Sequence, residues 1–288
     1  MGILPVELYR EIVEHVSSKR DLSVLSITSR ILQAEAESFL YRSIHCTKHA
    51  DTRVICDVIA QYPRIRPLIR SLTISSQIGV RSAPYGFWSA VSQALRSLPN
   101  LTMLSISDMV DTNDAWIFRG CTFALTELHC HFALDDAYIS FLQTQKELRI
   151  WSWMYSHPDP WINAIEGIPS EPHFLPHLRI LSTNSRDVAL RLCATRELSS
   201  VSVGGFYIPY VCDEERVEFA QELTRNANSL ASLQLTFPCH KSYLLATLDA
   251  LAEYLPGLQS LGHLPVFTTQ ASSCLFFWFC LSPNMLKR

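Results

Sequence analysis

The sequence lacks the short motifs with which many enzymes bind nucleotides, activate a serine or hold a catalytic zinc ion. It contains no Gly-x-Gly-x-x-Gly, no phosphate-binding Gly-Lys-Ser/Thr, no Gly-x-Ser-x-Gly and no His-Glu-x-x-His. We therefore expect a protein that is not an enzyme and that needs no cofactor.

Charged residues are also scarce, and the two signs nearly balance. They make up 18% of the chain, with 24 basic and 27 acidic residues and a net charge of −3. A nucleic-acid-binding surface needs an excess of basic residues, so nucleic acid is not an expected partner. The apolar run Leu275–Leu281 is too short to span a bilayer, and a membrane is not expected as a partner either.

Paired cysteines are absent, although cysteine itself is not. The nine cysteines are scattered and form no Cys-x-x-Cys, which predicts a reducing compartment, the cytoplasm and/or the nucleus. His129-Cys130-His131 is the one local cluster of metal-ligand type. In a strand the two histidines share a face and the cysteine points the other way, so we predict solvent-facing histidines and no metal site.

The first apolar residues of the chain are spaced as in short helices. Pro5 suits the first turn of a helix, where its missing N–H would have no partner in any case. The inner face of this first helix is predicted to hold Leu8, Ile12, Val13 and Val16. Asp21 can cap a second helix with Leu22 and Leu25 on its inner side. A third helix is predicted over residues 33–42.

A series of residues between positions 4 and 44 carries a family resemblance. The series is Leu4-Pro5, Glu7-Leu8, Ile12, Asp21-Leu22, Leu25, Ser29-Arg30, Ala36-Glu37 and Leu40-Tyr41-Arg42. It resembles the F-box, the three-helix module with which substrate receptors bind the Skp-type adaptor of SCF (cullin–RING) ubiquitin ligases. The resemblance implies a Skp-type adaptor, and through it a cullin, as partners of this chain.

The resemblance also implies which residues bind the adaptor. In the family, the Leu-Pro pair and the apolar residues of the helices make the contact. The matching positions here are Leu4, Pro5, Leu8, Ile12, Leu22 and Leu25. The sequence departs from the family in the third helix, which lacks a frequent Trp and has Tyr41 near the place of a late aromatic residue.

A repeated apolar pattern in the rest of the chain predicts parallel strands. Its form is apolar-x-x-apolar-x-apolar, and successive copies begin 20 to 32 residues apart, in or slightly beyond the range of leucine-rich repeats. The copies begin at Ile69, Leu101, Leu125, Leu148, Leu178, Leu198, Leu230 and Leu258. Helical patterns lie between them, so we expect an irregular α/β horseshoe with parallel strands and outer helices. An ordinary α/β domain whose strands begin with Leu is the alternative.

The residues between the apolar positions should form the concave face of such a horseshoe. A long segment with several prolines, residues 155–174, follows one of the central strands, and loops of this kind on a rigid scaffold often bind partners. We expect an unknown protein client to contact His129, His131, Met154 and Trp161. The alternative for Trp161 is that it packs under its own loop.

Three regions are predicted along the chain. Residues 1–46 form the F-box-like module, residues 47–265 form the repeat domain, and residues 266–288 form an irregular hydrophobic tail. The run of aromatic residues in this tail either covers the end of the repeat core or marks a truncated or misread end of the chain.

Together these features predict a substrate-recognition subunit of an SCF-type ubiquitin ligase. The N-terminal helices would bind the adaptor, and the repeat domain would bind the client. The alternative is a leucine-rich-repeat scaffold without a ligase, in which the helices only cap the first repeat. Exposure of Leu4, Pro5 and Leu8 distinguishes the two, because a cap would bury these side chains.

Overall fold

The chain folds as an α/β protein of two compact units. The computed structural model describes residues 5–75, 83–107, 114–154, 168–169, 171, 173–204, 218–219, 221–223, 225, 229–235, 239–240, 251, 253, 255, 257–267 and 275–279. Unit 1 comprises Met1–Val110 and Trp116–Leu125, and unit 2 comprises Asp111–Ala115 and Thr126–Arg288. Parallel strands and intervening helices are present in both units.

Unit 1 begins with three short helices around a small apolar core. These are α1 (Val6–Glu14), α2 (Lys19–Ser26) and α3 (Arg30–Leu40). One residue from each helix is buried at the centre, and the partly buried side chains around them are Val16, Leu25, Leu32, Phe39 and Leu40. The three central residues are Val13, Leu22 and Ala36. The core is contributed almost equally by the three helices, so none of them is dispensable for it.

The inner face predicted for α1 is wrong for two of its four residues. Val13 is fully buried, whereas Leu8 and Ile12 are exposed. Successive helical residues turn by about 100°, so Leu8 and Val13 lie about 140° apart around the helix. The apolar face of α1 is therefore too broad to be buried completely by α2 and α3. Its edge with Leu8 and Ile12 remains open to solvent.

The starts of α2 and α3 also differ from the predicted ones. Ser18, rather than Asp21, caps α2, and its hydroxyl accepts a hydrogen bond from the Asp21 N–H at 3.3 Å. Ser29 caps α3 by accepting from the Leu32 N–H at 3.3 Å, so α3 begins at Arg30 and not near residue 33. Serine and aspartate are both good caps, and composition alone does not choose between them.

A strand absent from the sequence-based prediction follows α3 after two residues. Strand β1 (Ser43–Cys46) pairs in parallel with β2 (Ser71–Ser75), and Ile44 lies opposite Leu72. Residues 43–46, which the prediction places in the F-box-like module, therefore belong to the same sheet as the strand of the first repeat.

The remainder of unit 1 alternates helices and strands. After β1 come α4 (His49–Gln61), a 3-10 helix (Pro63–Leu68), β2, α5 (Phe87–Arg96) and β3 (Met103–Ser107). Strand β3 is parallel to β2 and in register with it, with Leu72 opposite Leu104. A second 3-10 helix covers Asp114–Phe118, of which the last three residues belong to unit 1 and the first two to unit 2.

Unit 2 continues the same alternation. Its described elements are β4 (Glu127–Cys130), α6 (Asp136–Thr144), β5 (Ile150–Trp153), β6 (Ile180–Thr183), α7 (Arg186–Thr195), β7 (Ser200–Val203), β8 (Ser232–Leu235), β9 (Cys239–His240), β10 (Ser260–Phe267) and β11 (Leu275–Phe279). Strands β4 to β8 pair in parallel in sequence order, and β10 pairs in parallel with β8.

Each copy of the repeated apolar pattern coincides with a strand, as predicted. The fourth positions of the copies are buried: Leu72, Leu104, Leu128, Trp151, Leu181, Val201, Leu233 and Leu261. Within each unit these residues lie opposite one another in register. The alternate residues of the strands are half-buried or exposed, which is the pattern of a sheet with one face on the core.

A buried arginine fixes the chain that enters β6. Arg196 follows α7, and its Nε donates a hydrogen bond to the Phe174 carbonyl oxygen at 2.5 Å. Its terminal nitrogens donate to the carbonyl oxygens of Glu171 and Thr195. The guanidinium group thereby ties Glu171 and Phe174, which precede β6 in the chain, to the end of α7.

The C-terminal tail is not irregular where the structure describes it. Strand β11 pairs antiparallel with β10, with Phe279 opposite Leu261 and Leu275 opposite Val266. Strand β10 itself extends to Phe267, past the predicted boundary at residue 265. The described aromatic residues therefore extend the sheet of unit 2.

The difference between buried and exposed leucines in the three helices can be measured. Leu22→Ala removes a core side chain and should reduce the free energy of opening of these helices by about 2–5 kcal/mol. Leu8→Ala removes a side chain that is open to solvent and should change it by about 0.5 kcal/mol or less. Hydrogen exchange of the α1–α3 backbone amides measures both free energies. Equal decreases in the two variants would contradict the assignment of Leu22 to the core and of Leu8 to the surface.

Candidate functional site

Exposed apolar side chains are concentrated on the three N-terminal helices. Among the residues whose side-chain exposure the structure describes, nine large hydrophobic residues are exposed, and five of them lie here. They are Leu8 (39% exposed), Ile12 (48%), Val24 (53%), Ile27 (83%) and Ile31 (43%). Together with Pro5 we call them the helical surface. A concentration of this kind on a small folded module is typical of a protein-binding surface.

The structure divides the predicted adaptor-binding residues into two groups. Pro5, Leu8 and Ile12 are exposed on and just before α1. Leu22 is buried in the core of the three helices and Leu25 packs against that core, so these two side chains are less accessible than those of α1. Leu4 lies outside the described residues. Of the five predicted contact residues that the structure describes, Pro5, Leu8 and Ile12 are therefore the ones that a partner can reach.

Three residues of the helical surface were missed by the sequence analysis. Val24 lies two positions after the buried Leu22, about 200° around the helix from it, so an apolar residue there faces away from the core. On α3, Ile31 is 43% exposed, whereas its neighbour Leu32 packs against the core of the three helices. The sequence did contain a signal for Val24: an apolar residue that lies on the opposite side of the helix from the core positions is expected to be exposed.

Polar contacts attach the three helices to the rest of unit 1. The Glu37 carboxylate on α3 is buried and accepts hydrogen bonds from Arg64 Nη1 at 2.8 Å and from Gln33 Nε2 at 2.9 Å. Lys19 Nζ donates to the Ser43 carbonyl oxygen of β1 at 2.8 Å. These contacts fix the orientation of the helices relative to β1 and to the first 3-10 helix.

The second candidate surface is the half-exposed face of strands β4 to β8 and of the start of β10 in unit 2, here called the sheet face. Its residues line up in rows across the parallel strands. The first row is Glu127, Ile150, Ile180, Ser200, Ser232 and Ser260, and the second is His129, Ser152, Ser182, Ser202 and Gln234. The first row is thus charged or apolar from β4 to β6 and small and polar from β7 onward, whereas the second row is polar throughout.

The predicted histidines lie together at the β4 end of the sheet face. His129 Nε2 is 2.6 Å from Glu127 Oε1, and both side chains are 31% exposed. His131 follows β4, beside Met154, whose N–H donates to the Cys130 carbonyl oxygen at 3.2 Å. The structure therefore brings His129, His131 and Met154 together, whereas Trp161 lies outside the described residues.

Burial changes the acid–base behaviour of His131. It lowers the pKa of His131 below the ordinary value of 6.5, and a hydrogen bond with the Met154 backbone offsets only part of the effect. His131 is therefore a neutral group at neutral pH. The sheet face gains no positive charge from it.

On the opposite side of the same strands, aromatic residues fill the core. Trp151 Nε1 donates to the Tyr138 hydroxyl at 3.0 Å, and Trp153 Nε1 donates to the Phe132 carbonyl oxygen at 2.7 Å. The two indoles are stacked with ring centroids 6.2 Å apart. Their polar atoms are satisfied, so these large side chains can be buried without the cost of an unpaired donor.

Cys130 points into this core, as the strand alternation predicts. Its thiol contacts the Tyr138 hydroxyl, and burial raises the pKa of Cys130 to about 12. The thiol stays protonated at neutral pH and faces away from both neighbouring histidines. Among the described residues, no three His, Cys, Asp or Glu side chains are grouped so that they could hold a metal ion.

The described part of the chain contains no helix that could span a membrane. None of the helices there has the length and apolar composition that a bilayer-spanning segment needs.

Comparison with known proteins gives no family for this sequence. No family model matches it, and no curated protein matches it either. Among solved structures, it is similar to a protein from Bacteroides fragilis determined by the Northeast Structural Genomics Consortium. The two are 12% identical over 94% of this chain and 74% of that chain, with a TM-score of 0.49. These values identify no function.

His131 should make the protein less stable as the pH falls. Its pKa is below 6.5 in the folded state, so on acidification the unfolded state takes up the proton first. The free energy of unfolding should be fully retained above pH 6.5 and should fall between pH 6.5 and the lower folded pKa. His131→Gln should weaken this dependence. An NMR titration of the His131 ring gives the folded pKa, and a value at or above 6.5 would contradict the prediction.

Proposed function

We propose that this chain is the substrate-recognition subunit of an SCF-type ubiquitin ligase. In this proposal the three N-terminal helices are an F-box-like module that binds a Skp-type adaptor, and through it a cullin. The strands that follow are an irregular leucine-rich-repeat horseshoe, whose sheet face binds a protein client. The observation that carries the proposal is the exposure of Leu8 and Ile12 on helices that have a separate buried core.

Exposure of the helical surface favours adaptor binding over a simple cap. A cap would bury Pro5 and Leu8 against the first repeat, as the scaffold alternative requires, whereas both are exposed. Val13, Leu22 and Ala36 already provide the core that the helices need, so the exposed apolar residues are not required for folding. Their retention on the surface is consistent with a partner that covers them.

The raised pKa values of three cysteine thiols are consistent with a receptor that contributes no chemistry of its own. Burial raises the pKa of Cys56 and Cys193 to about 12 and that of Cys121 to about 11, so these thiols are poor nucleophiles at neutral pH. In the proposed complex other subunits transfer ubiquitin. This chain raises the local concentration of the client near them.

The proposal places the protein in the cytoplasm and/or the nucleus. Support comes from the cysteines of the described residues, five of which are free thiols in the structure: Cys46, Cys56, Cys121, Cys130 and Cys193. Free thiols persist in a reducing compartment, which is where these ligases act.

Replacement of the exposed α1 residues should abolish adaptor binding. Truncation of a buried interface Leu or Ile costs about 2 kcal/mol when it is a hot spot, which is about thirty-fold in affinity. The double variant Leu8→Ala/Ile12→Ala should therefore lose detectable binding to the purified Skp-type adaptor, measured by calorimetry with the full chain. Hydrogen exchange of α1–α3 should remain as in the unchanged chain.

The matched control is Val54→Ala. Val54 is 60% exposed on α4 of the same unit, outside the helical surface, and its replacement should leave adaptor affinity unchanged. Point variants are preferable to deletion of residues 1–46, because the deletion would remove β1 from the sheet. Absence of adaptor binding by the unchanged, folded chain would reject the ligase assignment and leave a repeat scaffold.

A further inference from the structure

One stretch of unit 1 carries positive charge only. Between Asp57 and Asp108 the sequence has no Asp, Glu or Lys but five arginines: Arg64, Arg66, Arg70, Arg81 and Arg96. The rest of the chain, with 19 of the 24 basic residues and all 27 acidic ones, is acidic. The stretch is therefore locally cationic in a chain whose remainder carries the opposite charge.

Two of these arginines are compensated within unit 1. Arg64 Nη1 is 2.8 Å from Glu37 Oε2. Arg66 donates from Nε and Nη2 to the carbonyl oxygens of Ile59 and Ala60, both at 2.8 Å. These carbonyls lie in the last turn of α4, where the helix dipole favours a cation. Arg81 lies outside the described residues, so Arg70 and Arg96 remain to be explained.

Arg70 is one of two neighbouring arginines at the starts of strands. Arg42 directly precedes β1 and Arg70 directly precedes β2, and the Arg42 carbonyl oxygen accepts from the Arg70 N–H at 3.0 Å. Both side chains are exposed. Neighbouring strands lie about 4.8 Å apart, and like charges side by side on them repel each other. An anion bound between the two guanidinium groups would relieve this repulsion.

A second pair of arginines lies at the same edge of unit 1. Arg96 is the last residue of α5, which runs from the end of β2 back to the start of β3. Its Nε donates to the Arg119 carbonyl oxygen at 2.7 Å, so the exposed Arg119 lies beside it. Arg70 Nη1 reaches the Asn100 carbonyl oxygen at 3.4 Å. Arg70 and Arg96 therefore flank the turn between α5 and β3.

We call Arg42, Arg70, Arg96 and Arg119 the arginine edge. None of the four forms an ion pair with a residue that the structure describes, whereas Arg53 of the same unit pairs with Asp57 at 3.7 Å. The contacts of Arg70 and Arg96 with carbonyl oxygens orient the guanidinium groups without neutralising them. Each guanidinium has five N–H donors, so most remain for a ligand.

We propose that the arginine edge binds an acidic segment of a protein partner, in which two or more Asp or Glu side chains lie close together. Charge complementarity selects the acidic side chains. A guanidinium binds a carboxylate through two parallel hydrogen bonds, and the edge consists of arginine without lysine. This interaction goes beyond the proposed function and does not depend on adaptor binding.

A short acidic segment fits this edge better than a nucleic acid does. Duplex DNA carries one negative charge about every 1.7 Å, so it would extend far beyond four arginines. Its phosphates would then be repelled by the rest of the chain, which is acidic. A segment of a few residues can be neutralised by the arginine edge alone.

Binding of a labelled decapeptide of glutamate residues to the full chain tests the proposal. Fluorescence anisotropy should show binding that weakens with added salt, and a decapeptide of glutamine should not bind. Arg70→Gln should reduce the affinity for the glutamate peptide about five-fold or more, because a charge-assisted contact is lost.

Arg30→Gln is the matched control. It removes the same charge from an exposed arginine at the first residue of α3, about 15 Å along that helix from the end that leads to Arg42. Its affinity for the glutamate peptide should stay within about two-fold of that of the unchanged chain. The thermal unfolding midpoint verifies that each variant is folded, and Arg42→Gln tests the edge independently if Arg70→Gln does not fold.

Three results would overturn the proposal. The first is no binding of the glutamate peptide by the folded, unchanged chain. The second is an equal effect of Arg70→Gln and Arg30→Gln, which would indicate a general attraction between charges. The third is tighter binding, through Arg70, of a single-stranded oligonucleotide or of phosphatidylserine–phosphatidylcholine vesicles than of the peptide.

The test separates the arginine edge from the adaptor surface. Leu8→Ala/Ile12→Ala should leave the affinity for the glutamate peptide unchanged. Peptide binding that depends on Arg70 without any adaptor binding would keep the arginine edge and reject the ligase assignment. Adaptor binding by a chain that does not bind the peptide would reject only the arginine edge.

Discussion

The in-register alternation of the parallel strands is the constraint on which the rest of the structure depends. Each strand buries every second residue against the core, and the register places these residues opposite one another, as with Leu181 between Trp151 and Val201. A shift of one residue would expose the entire apolar set of a strand. The same constraint fixes which residues form the rows of the sheet face, and both candidate histidines owe their position to it.

The three N-terminal helices follow a different physical rule. Their core consists of only three buried residues, so much of their apolar surface has no partner among the residues that the structure describes. Part of the cost of this arrangement is offset by attachment to the rest of unit 1 through the buried Glu37 and its contact with Arg64. A small module of this kind is well suited to binding, because its folding does not use all of its apolar residues.

The strand positions could be predicted from the sequence because every second residue of a strand is buried. The apolar residues of the repeated pattern show this two-residue spacing directly. Strand β1 was missed because Ser43–Cys46 is short and carries only half of the repeated pattern. Leu8 was assigned to the inner side because periodicity shows that an apolar stripe exists, but not how much of it the neighbours can cover. The exposure of Ile180 likewise depends on tertiary structure, whereas the Glu127–His129 contact, two residues apart on one strand, was within reach of the sequence.

The short connection between α3 and β1 has a mechanical consequence. Only Tyr41 and Arg42 separate the two elements, and the Arg42 carbonyl oxygen accepts hydrogen bonds from the N–H groups of Arg70 and Ser71. Such a connection cannot act as a hinge, since its backbone is already held by the neighbouring strand. If a bound partner rotated the three helices, strands β1 and β2 would therefore have to rotate with them, because the connection is too short and too firmly held to absorb the movement.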